Sequence, residues 1–314
     1  MKLEYVSLRG VRDLAPVELR LSQSEGQWPP IVVTGPSGSG KTTLLEAIIA
    51  AKESWAPYGP PPLPSSFFDT TEGAITLDWR GGDGSSARCE WRNGAAIEQA
   101  TSALRTEAST YAFTPDSFKV EYMPAGRRFE ASAHSSLGTA RVEQSRRVRA
   151  VAGKYDWVRS YLETVAMSNA AITARQLRER GVVLGQTPGS GSEGFADTLA
   201  VLSPSLRWLG TGDSARGAAE LACLFQRRSG RTVELGDLTG GEQAVVLVAA
   251  AYAALGLRKS LLLVDLPEQG LHPEDHAGFF GRLAELMAGG QLIVATTSPA
   301  ILRAAPAHSV FVLR

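Results

Sequence analysis

The sequence has few cysteines and no net charge, and each feature argues against a class of protein. Two cysteines in 314 residues, Cys89 and Cys223, lie far apart without a second cysteine nearby, which argues against a disulfide-rich secreted fold and a Cys-x-x-Cys site. We therefore expect two buried thiols rather than a disulfide. The 32 basic side chains balance the 32 acidic ones, which argues against a chain that coats nucleic acid over its whole surface. A local basic patch stays compatible with this balance.

Long hydrophobic runs are absent as well. The longest, Ala244–Leu257, has about 14 residues, which is too short to cross a bilayer and predicts a buried helix. The opening Met1–Gly10 carries charges and contains no apolar stretch, so we expect no signal peptide. These features predict a soluble, cytoplasmic protein without a membrane partner.

Short β-prone segments alternate with helical patterns at both ends of the chain. Three strands are predicted in about the first 35 residues, followed by a helix near Gly40–Lys52 and a hairpin formed by 74–79 and 87–91. From Thr232 onward the strand-like runs TVEL, LLLVD, LIVATT and SVFVL alternate with helical patterns. Such alternation predicts an α/β fold with a mostly parallel sheet.

The middle of the chain has a different character. Helix formers and basic residues dominate from about Val120 to Arg180, and a further helix is predicted near Ser214–Arg227. We therefore expect a helical lobe inserted into the sheet domain. The predicted division places residues 1–120 and 231–314 in a nucleotide-binding lobe and residues 121–230 in the helical lobe.

A glycine-rich loop carries the strongest functional signal. It matches the pattern G-x-x-x-x-G-K-S/T at every fixed position, between an apolar strand and a helix-forming segment. Backbone N–H groups of such a loop surround phosphate oxygens, while Lys41 neutralises phosphate charge and the Thr42 hydroxyl binds Mg²⁺. The predicted ATP-binding residues are Gly35, Pro36, Ser37, Gly38, Ser39, Gly40, Lys41 and Thr42.

Two further motifs narrow the class of nucleotide-binding protein. The apolar run LLLVD ends at Asp265, where a carboxylate provides a second position for Mg²⁺. The segment LTGGEQ precedes an apolar helix, so a hydroxyl and glycine amides form an anion site at the helix N-terminus. This segment resembles the L-S-G-G-Q signature of ABC ATPases, which faces the γ-phosphate held by another subunit. The predicted second nucleotide-binding set is Leu238, Thr239, Gly240, Gly241 and Glu242.

The resemblance extends over nearly the whole chain. The segments that carry it are the opening MKLEYVSLRGVRDL, EYMPAGRR at 121–128, FQRRSGRTVELGDLTGGEQ, PEQGLHP and Val294–Pro299. They are similar to the SMC/RecF/OLD-like branch of ABC-class P-loop ATPases, which are AAA family ATPases. The resemblance implies an ABC-type head, ATP and Mg²⁺ as cofactors, and a homodimer or heterodimer that closes across the nucleotide. No glutamine of the family's Q-loop can be assigned.

Two positions depart from the family pattern. Leu266 stands where the family has the catalytic glutamate after Asp265, and Thr297 stands where it has the switch histidine. A positioned general base contributes about 10²–10⁴ in rate, so its loss predicts ATP binding with slow or absent hydrolysis. Glu268 is the remaining candidate base, although the intervening proline is expected to direct its carboxylate elsewhere.

Two clusters allow other interpretations. His272 and His276, four residues apart, permit a zinc site, but the Leu-His-Pro turn and a helix start are the favoured explanation. A basic cluster could contact nucleic acid, although a solvated helix face explains it better. The cluster consists of Arg141, Arg146, Arg147 and Arg149.

The sequence thus predicts an ATP-gated, dimerising interaction module, and it leaves open whether the chain is an enzyme. DNA maintenance and phage defence, beside a protein effector partner, are the settings that the resemblance implies. The alternative is an active ATPase that remodels or translocates nucleic acid. An ATP subunit of a transporter is less favoured, because the opening segment and the Leu-His-Pro turn are typical of the other branch.

Overall fold

A computed structural model describes most of the chain and provides the geometry. The described residues are 1–21, 28–59, 67–93, 95–112, 114–129, 148, 153–168, 193–214 and 221–314.

The centre of the described chain is a five-stranded parallel sheet in the order β13-β3-β12-β11-β7. Its strands are β3 (Ile31–Thr34), β7 (Val120–Met123), β11 (Leu261–Asp265), β12 (Gln291–Ala295) and β13 (Val310–Val312). All residues of β3, β7, β11 and β12 are buried, as expected for strands that are covered on both faces. The carboxyl ends of β7, β11 and β12 therefore meet at one edge, together with the end of β3.

An antiparallel sheet in the order β2-β1-β4-β5-β6 covers one face. It consists of β1 (Lys2–Arg9), β2 (Val17–Arg20), β4 (Ala74–Arg80), β5 (Ser86–Arg92) and β6 (Ala95–Gln99). A third sheet, in the order β10-β9-β8, is also antiparallel. Its strands are β8 (Leu206–Asp213), β9 (Leu221–Arg227) and β10 (Thr232–Glu234).

Helices fill the space on both faces of the parallel sheet. They are α1 (Lys41–Trp55), α2 (Ser102–Ser109), α3 (158–168), α4 (Glu193–Leu202), α5 (Gly240–Leu255), α6 (His276–Leu286) and α7 (Pro299–Ala304). Helix α1 packs between the antiparallel and parallel sheets, while α5 and α6 cover the opposite face. The side chains of β11 alternate between the two faces of the sheet, so each face has its own hydrophobic cluster. Leu261 and Leu263 belong to one cluster, and Leu262 and Val264 belong to the other.

Most elements predicted at the two ends of the chain are confirmed. The three N-terminal strands, the helix after the glycine-rich loop and the antiparallel hairpin β4–β5 are all present. The longest apolar run forms the interior of α5, which is buried over Val245–Ala251. The α/β fold with a parallel sheet is confirmed. None of the helices in the described part of the chain has both the length and the hydrophobicity needed to cross a membrane.

Two predictions for the middle of the chain are wrong. The helix expected near Ser214–Arg227 is strand β9 over Leu221–Arg227, because this segment pairs with β8 on one side and β10 on the other. The boundary drawn between residues 120 and 121 cuts through β7, whose four residues all lie in the parallel sheet. The inserted region is not purely helical, since its described part contains β8 and β9. The division into two lobes itself stays a prediction.

Candidate nucleotide-binding site

The glycine-rich loop joins the buried strand β3 to helix α1. Gly40 lies directly before α1 with φ of 85°, a left-handed conformation that favours glycine, and a Cβ there would meet Leu14 Cδ1 at 2.4 Å. Gly35 approaches the backbone of the last strand so closely that a Cβ would meet the carbonyl oxygen of Leu313 at 2.5 Å. The first turn of α1 therefore directs its N–H groups into the loop.

Two side chains of the loop suit an anionic ligand. The Lys41 ammonium donates to the carbonyl oxygens of Gly35 at 2.9 Å and Pro36 at 2.7 Å, so the cation lies over the loop itself. The Ser39 hydroxyl is buried and has no hydrogen-bond partner among the described residues. A phosphate group would satisfy both, because its oxygens accept hydrogen bonds and carry the opposite charge. The residues present therefore fit a nucleoside triphosphate.

The two predicted Mg²⁺ ligands lie together. Thr42, in the first turn of α1, donates its hydroxyl proton to Asp265 Oδ2 at 2.7 Å across the sheet edge. Asp265 is 2% exposed, and this burial raises the pKa of its carboxyl while the Thr42 hydrogen bond opposes the rise. A hydroxyl and a carboxylate that converge in this way fit Mg²⁺, which prefers oxygen ligands.

The residue after Asp265 has an unusual backbone. Leu266 adopts φ of 48°, a left-handed conformation that costs a non-glycine residue about 1–2 kcal/mol. Its N–H donates to the Ala295 carbonyl at 2.8 Å, and its own carbonyl accepts from Gln269 N at 3.0 Å. The guanidinium of Arg127 donates to the carbonyls of Asp265, Leu266 and Pro267. The turn after β11 is thus fixed on several sides.

Glu268 bonds to the segment after β12. Its Oε1 accepts the Thr296 hydroxyl proton at 2.7 Å and the Thr297 backbone N–H at 3.2 Å. Its Oε2 is buried without a hydrogen-bond partner among the described residues. The carboxylate therefore contacts the segment after β12, and whether it reaches an attacking water stays a prediction. Thr297, at the position of the family's histidine, is exposed and is held through its backbone.

The signature segment forms the N-terminus of α5. Thr239 and Glu242 make a capping box, in which the Thr239 N–H donates to Glu242 Oε2 at 2.8 Å and the Glu242 N–H donates to Thr239 Oγ1 at 3.3 Å. Arg227 donates to both carboxylate oxygens of Glu242, at 2.8 and 2.7 Å, and holds the pKa of that carboxyl below its ordinary value. Leu238 is buried, whereas a Cβ on Gly240 would meet nothing within 4 Å. Thr239 and Gly240 are therefore the accessible parts of the motif, and the Glu242 carboxylate is already bonded.

A cavity of about 920 Å³ lies in front of the signature. Thr239, Gly240 and Gly241 line it, together with Arg228 and Arg282, and no residue of the glycine-rich loop does. The structure brings Lys41, Thr42 and Asp265 into one site, and none of these three residues lines the cavity in front of the signature.

Comparison with known proteins agrees with this geometry. One protein family, described as "AAA domain, putative AbiEii toxin, Type IV TA system", matches residues 31–303. The chain belongs to this family. The match extends from β3 into α7 and includes the glycine-rich loop, the signature and Asp265. A search of curated protein sequences finds no match.

Solved SMC head domains have a similar fold. The SmcHead bound to the C-winged helix domain of ScpA is 15% identical, with a TM-score of 0.59 over 97% of this chain and 92% of that one. The SMC head domain from Thermotoga maritima is 16% identical, with a TM-score of 0.52 over 97% and 92%. An Smc head domain with an extended coiled coil, bound to the C-terminal domain of ScpA derived from Pyrococcus furiosus, is 12% identical, with a TM-score of 0.54 over 96% and 91%. The predicted ABC-type, SMC-like P-loop ATPase fold is confirmed, and at these identities the likeness concerns the fold alone.

In this AAA-domain chain the two histidines have separate partners. His272 Nδ1 accepts from the Glu274 N–H at 3.4 Å, which caps a short 3₁₀ turn. His276 Nδ1 lies 2.9 Å from Ser298 Oγ, and its Nε2 lies 3.2 Å from the Leu271 carbonyl oxygen. Because a carbonyl only accepts, Nε2 is the protonated nitrogen. The four arginines of the basic cluster, Arg141, Arg146, Arg147 and Arg149, lie outside the described residues.

Sequence reasoning missed three contacts near the candidate site of this AAA domain. Arg127 and Thr296 each lie within a segment that carries the family resemblance, but their partners come from the ends of other strands. Arg227 lies on a segment that was predicted as a helix, where its pairing with Glu242 could not be foreseen. The nearest signal for Arg127 was its position in EYMPAGRR, directly after a β-prone run.

Proposed function

We propose that this chain binds Mg²⁺-ATP in its glycine-rich loop and that bound ATP closes a dimer. The observation that carries the proposal is the position of the signature, which opens onto a cavity that no loop residue lines. A phosphate held by Lys41 would then meet a signature only on a second subunit, either another copy or a related chain. The α5 N-terminus, with the amide of Gly240 accessible, would complete the site with its positive dipole end.

The bound metal would be held by Thr42 and Asp265. When present, Mg²⁺ neutralises charge on the phosphate oxygens. Lys41 would exchange its two loop carbonyls for phosphate oxygens, and the buried Ser39 hydroxyl would gain an acceptor. Both changes favour tight binding, because the Lys41 ammonium exchanges neutral acceptors for anionic ones and the Ser39 hydroxyl gains a contact that it lacks.

Hydrolysis is proposed to be slow or absent. Leu266 has no proton acceptor to offer an attacking water, and the short side chain of Thr297 cannot reach as far as an imidazole. The nearby carboxylate oxygen, Glu268 Oε1, already accepts two hydrogen bonds from the segment after β12. Binding and catalysis are therefore affected separately, since only contacts made in the transition state accelerate the reaction.

One observation favours the alternative of an active ATPase. Glu268 Oε2 is buried and has no partner among the described residues, so it is available to accept a proton from water. In that case Glu268 would take the role of the missing base. The substitution Glu268→Gln separates the two candidates, because it removes this acceptor but leaves the loop and the signature unchanged.

The biological role is proposed to depend on a protein partner. The family description names a putative toxin of a type IV toxin–antitoxin system, and two of the similar SMC heads are bound to domains of ScpA. An ATP-closed dimer that engages an effector, in phage defence or DNA maintenance, is consistent with both. Nucleic-acid binding through the basic cluster stays a prediction.

Light scattering with ATP, ADP and no nucleotide tests the dimer. We expect a compact dimer with ATP and not with ADP, because only ATP carries the γ-phosphate. Bound ATP stabilises the folded state of the wild type by about 2.7 kcal/mol when it is present at 100 times its dissociation constant. Lys41→Ala should lose ATP binding and, with it, this stabilisation.

Gly240→Asp should block closure and spare binding, because it places a carboxylate against the phosphate. Gly240→Ala is the matched control, since a Cβ at this position meets nothing within 4 Å and folding should be unchanged. ATP-dependent dimers that survive Gly240→Asp would place the interface elsewhere. A wild-type protein that binds ATP and stays monomeric would rule out the homodimer.

A further inference from the structure

Arg127 contacts the turn after β11 from outside the nucleotide-binding loop. It follows β7, the parallel neighbour of β11, so both segments leave the sheet at the same edge. Its Nη1 donates to the carbonyls of Asp265 at 2.9 Å and Leu266 at 3.2 Å, and its Nη2 donates to Leu266 at 3.2 Å and Pro267 at 3.1 Å. One planar guanidinium thus bonds three consecutive carbonyls.

We propose that Arg127 is a positioning residue for the Mg²⁺ ligand Asp265, a role that rests on the proposed binding of Mg²⁺-ATP. The direction of the Asp265 side chain depends on the backbone of the turn that begins with this residue. That turn passes through the left-handed conformation of Leu266, which ordinary residues avoid. Several contacts must therefore hold it, and Arg127 supplies four of the hydrogen bonds.

Convergence of the three carbonyls explains why a cation is needed. Carbonyl oxygens that point to one place repel each other, and a guanidinium with fixed donor directions compensates for that repulsion better than a neutral group does. A second contact holds the same two segments together, because the Gly126 N–H donates to Gln269 Oε1. The loop after β7 is therefore attached to both ends of the turn.

The charge of Arg127 also acts on the carboxylates. It interacts favourably with the carboxylates of Asp265 and Glu268. Arg127 touches neither Thr42 nor Lys41 in the described contacts, so its influence on a bound ligand is exerted through the turn.

Nucleotide affinity with and without Mg²⁺ provides a test that a merely structural role would not pass. Isothermal titration with ATP is carried out in Mg²⁺ and in EDTA on the full chain. Loss of an outer contact to a metal ligand typically lowers metal affinity by about 10–100-fold. We expect Arg127→Met to reduce the gain in affinity that Mg²⁺ gives by about tenfold or more, while the affinity in EDTA changes less than about twofold.

Two further variants control the result. Arg127→Lys keeps the charge but presents a single ammonium, so it should retain part of the Mg²⁺-dependent gain, and it provides the comparison if Arg127→Met does not fold. Arg128→Met removes the neighbouring, exposed arginine and should behave as the wild type.

Four other outcomes of the titrations would contradict the role of Arg127 or the binding of Mg²⁺-ATP. Equal losses of affinity in Mg²⁺ and in EDTA would make Arg127 a general structural contact and overturn the inference. Unchanged affinities in Arg127→Met would overturn it as well. A wild type that binds ATP without any Mg²⁺ dependence would refute the inference but not nucleotide binding. A wild type that binds no ATP at all would refute the proposed function and the inference with it.

Discussion

Replacing Leu266 by glutamate should restore the hydrolysis that the proposed function lacks. The backbone already permits the change, because a residue with a Cβ occupies φ of 48° at this position and glutamate adds no new strain there. Leu266 is half-buried, so the new carboxylate need not be placed in the core. The turn is fixed by the bond from Leu266 N to the Ala295 carbonyl and by Arg127, and neither contact involves the leucine side chain.

The size of the effect follows from the role of a general base. A positioned base contributes about 10²–10⁴ in rate, and a factor of 100 corresponds to about 2.7 kcal/mol in the activation barrier. We expect about 10²-fold, the lower end of that range, because Thr297 still replaces the histidine and Asp265 repels a second carboxylate. Adding Thr297→His should raise the rate further, since both groups act on the same water.

Single-turnover phosphate release, with protein in excess over ATP, measures this prediction. Leu266→Gln is the matched control, because it has the shape of glutamate and no basic oxygen, and it should stay near the wild-type rate. Equal acceleration by Gln and Glu would refute the role assigned to the base. So would a wild-type rate near one per second that depends on Lys41. Loss of that rate in Glu268→Gln would then identify the alternative base.

Two further predictions concern stability. Glu242→Ala should lower the free energy of unfolding by about 1 kcal/mol, because it removes the reciprocal bond of the capping box and both bonds to Arg227. Arg227→Ala should cost less, because the capping box survives. Urea denaturation measures both, and the reverse order would contradict the contacts. Burial lowers the pKa of Lys119 from 10.5 to about 8, so the unfolded chain binds more protons in this pH window and stability should rise with pH across it. Lys119→Met should reduce that rise by an amount on the order of 1 kcal/mol, after a discount for screening of the charge by solvent. Denaturation curves from pH 8 to 10 measure the change of stability with pH, and an unchanged slope would show the assignment to be wrong.

The parts of the site that local sequence encodes were predictable. The glycine-rich loop is a contiguous pattern whose spacing fixes a backbone conformation, so the position of Lys41 and Thr42 at the start of α1 could be predicted. Asp265 ends an apolar run, and parallel strands bring such ends to one edge. The capping residue Thr239 was identifiable for the same reason, since a hydroxyl before an apolar helix is a local signal.

Contacts between distant segments were not predictable in the same way. Strand β9 reads as helix or strand from its sequence, because a short apolar segment fits both periods, and only pairing with β8 and β10 decides between them. The role of Arg127 depends on β7 lying beside β11, a neighbour relation that chain order does not reveal. Glu242 was expected to contribute to nucleotide binding, whereas its carboxylate is bonded to Arg227.

The position of Glu268 depends on one backbone angle that the sequence does not reveal. In an extended chain the proline at 267 would direct the carboxylate elsewhere, as the sequence predicts. Leu266 instead turns in the left-handed direction, and the bond from Gln269 N to its carbonyl closes a tight turn over the next residues. The turn brings the Glu268 carboxylate to the Thr296 hydroxyl, at the end of the neighbouring strand. Leu266 thus stands at the position of the usual base and also forms the turn that brings the Glu268 carboxylate to Thr296. If Oε1 of Glu268 acts as the base, it must first give up its bond to Thr296.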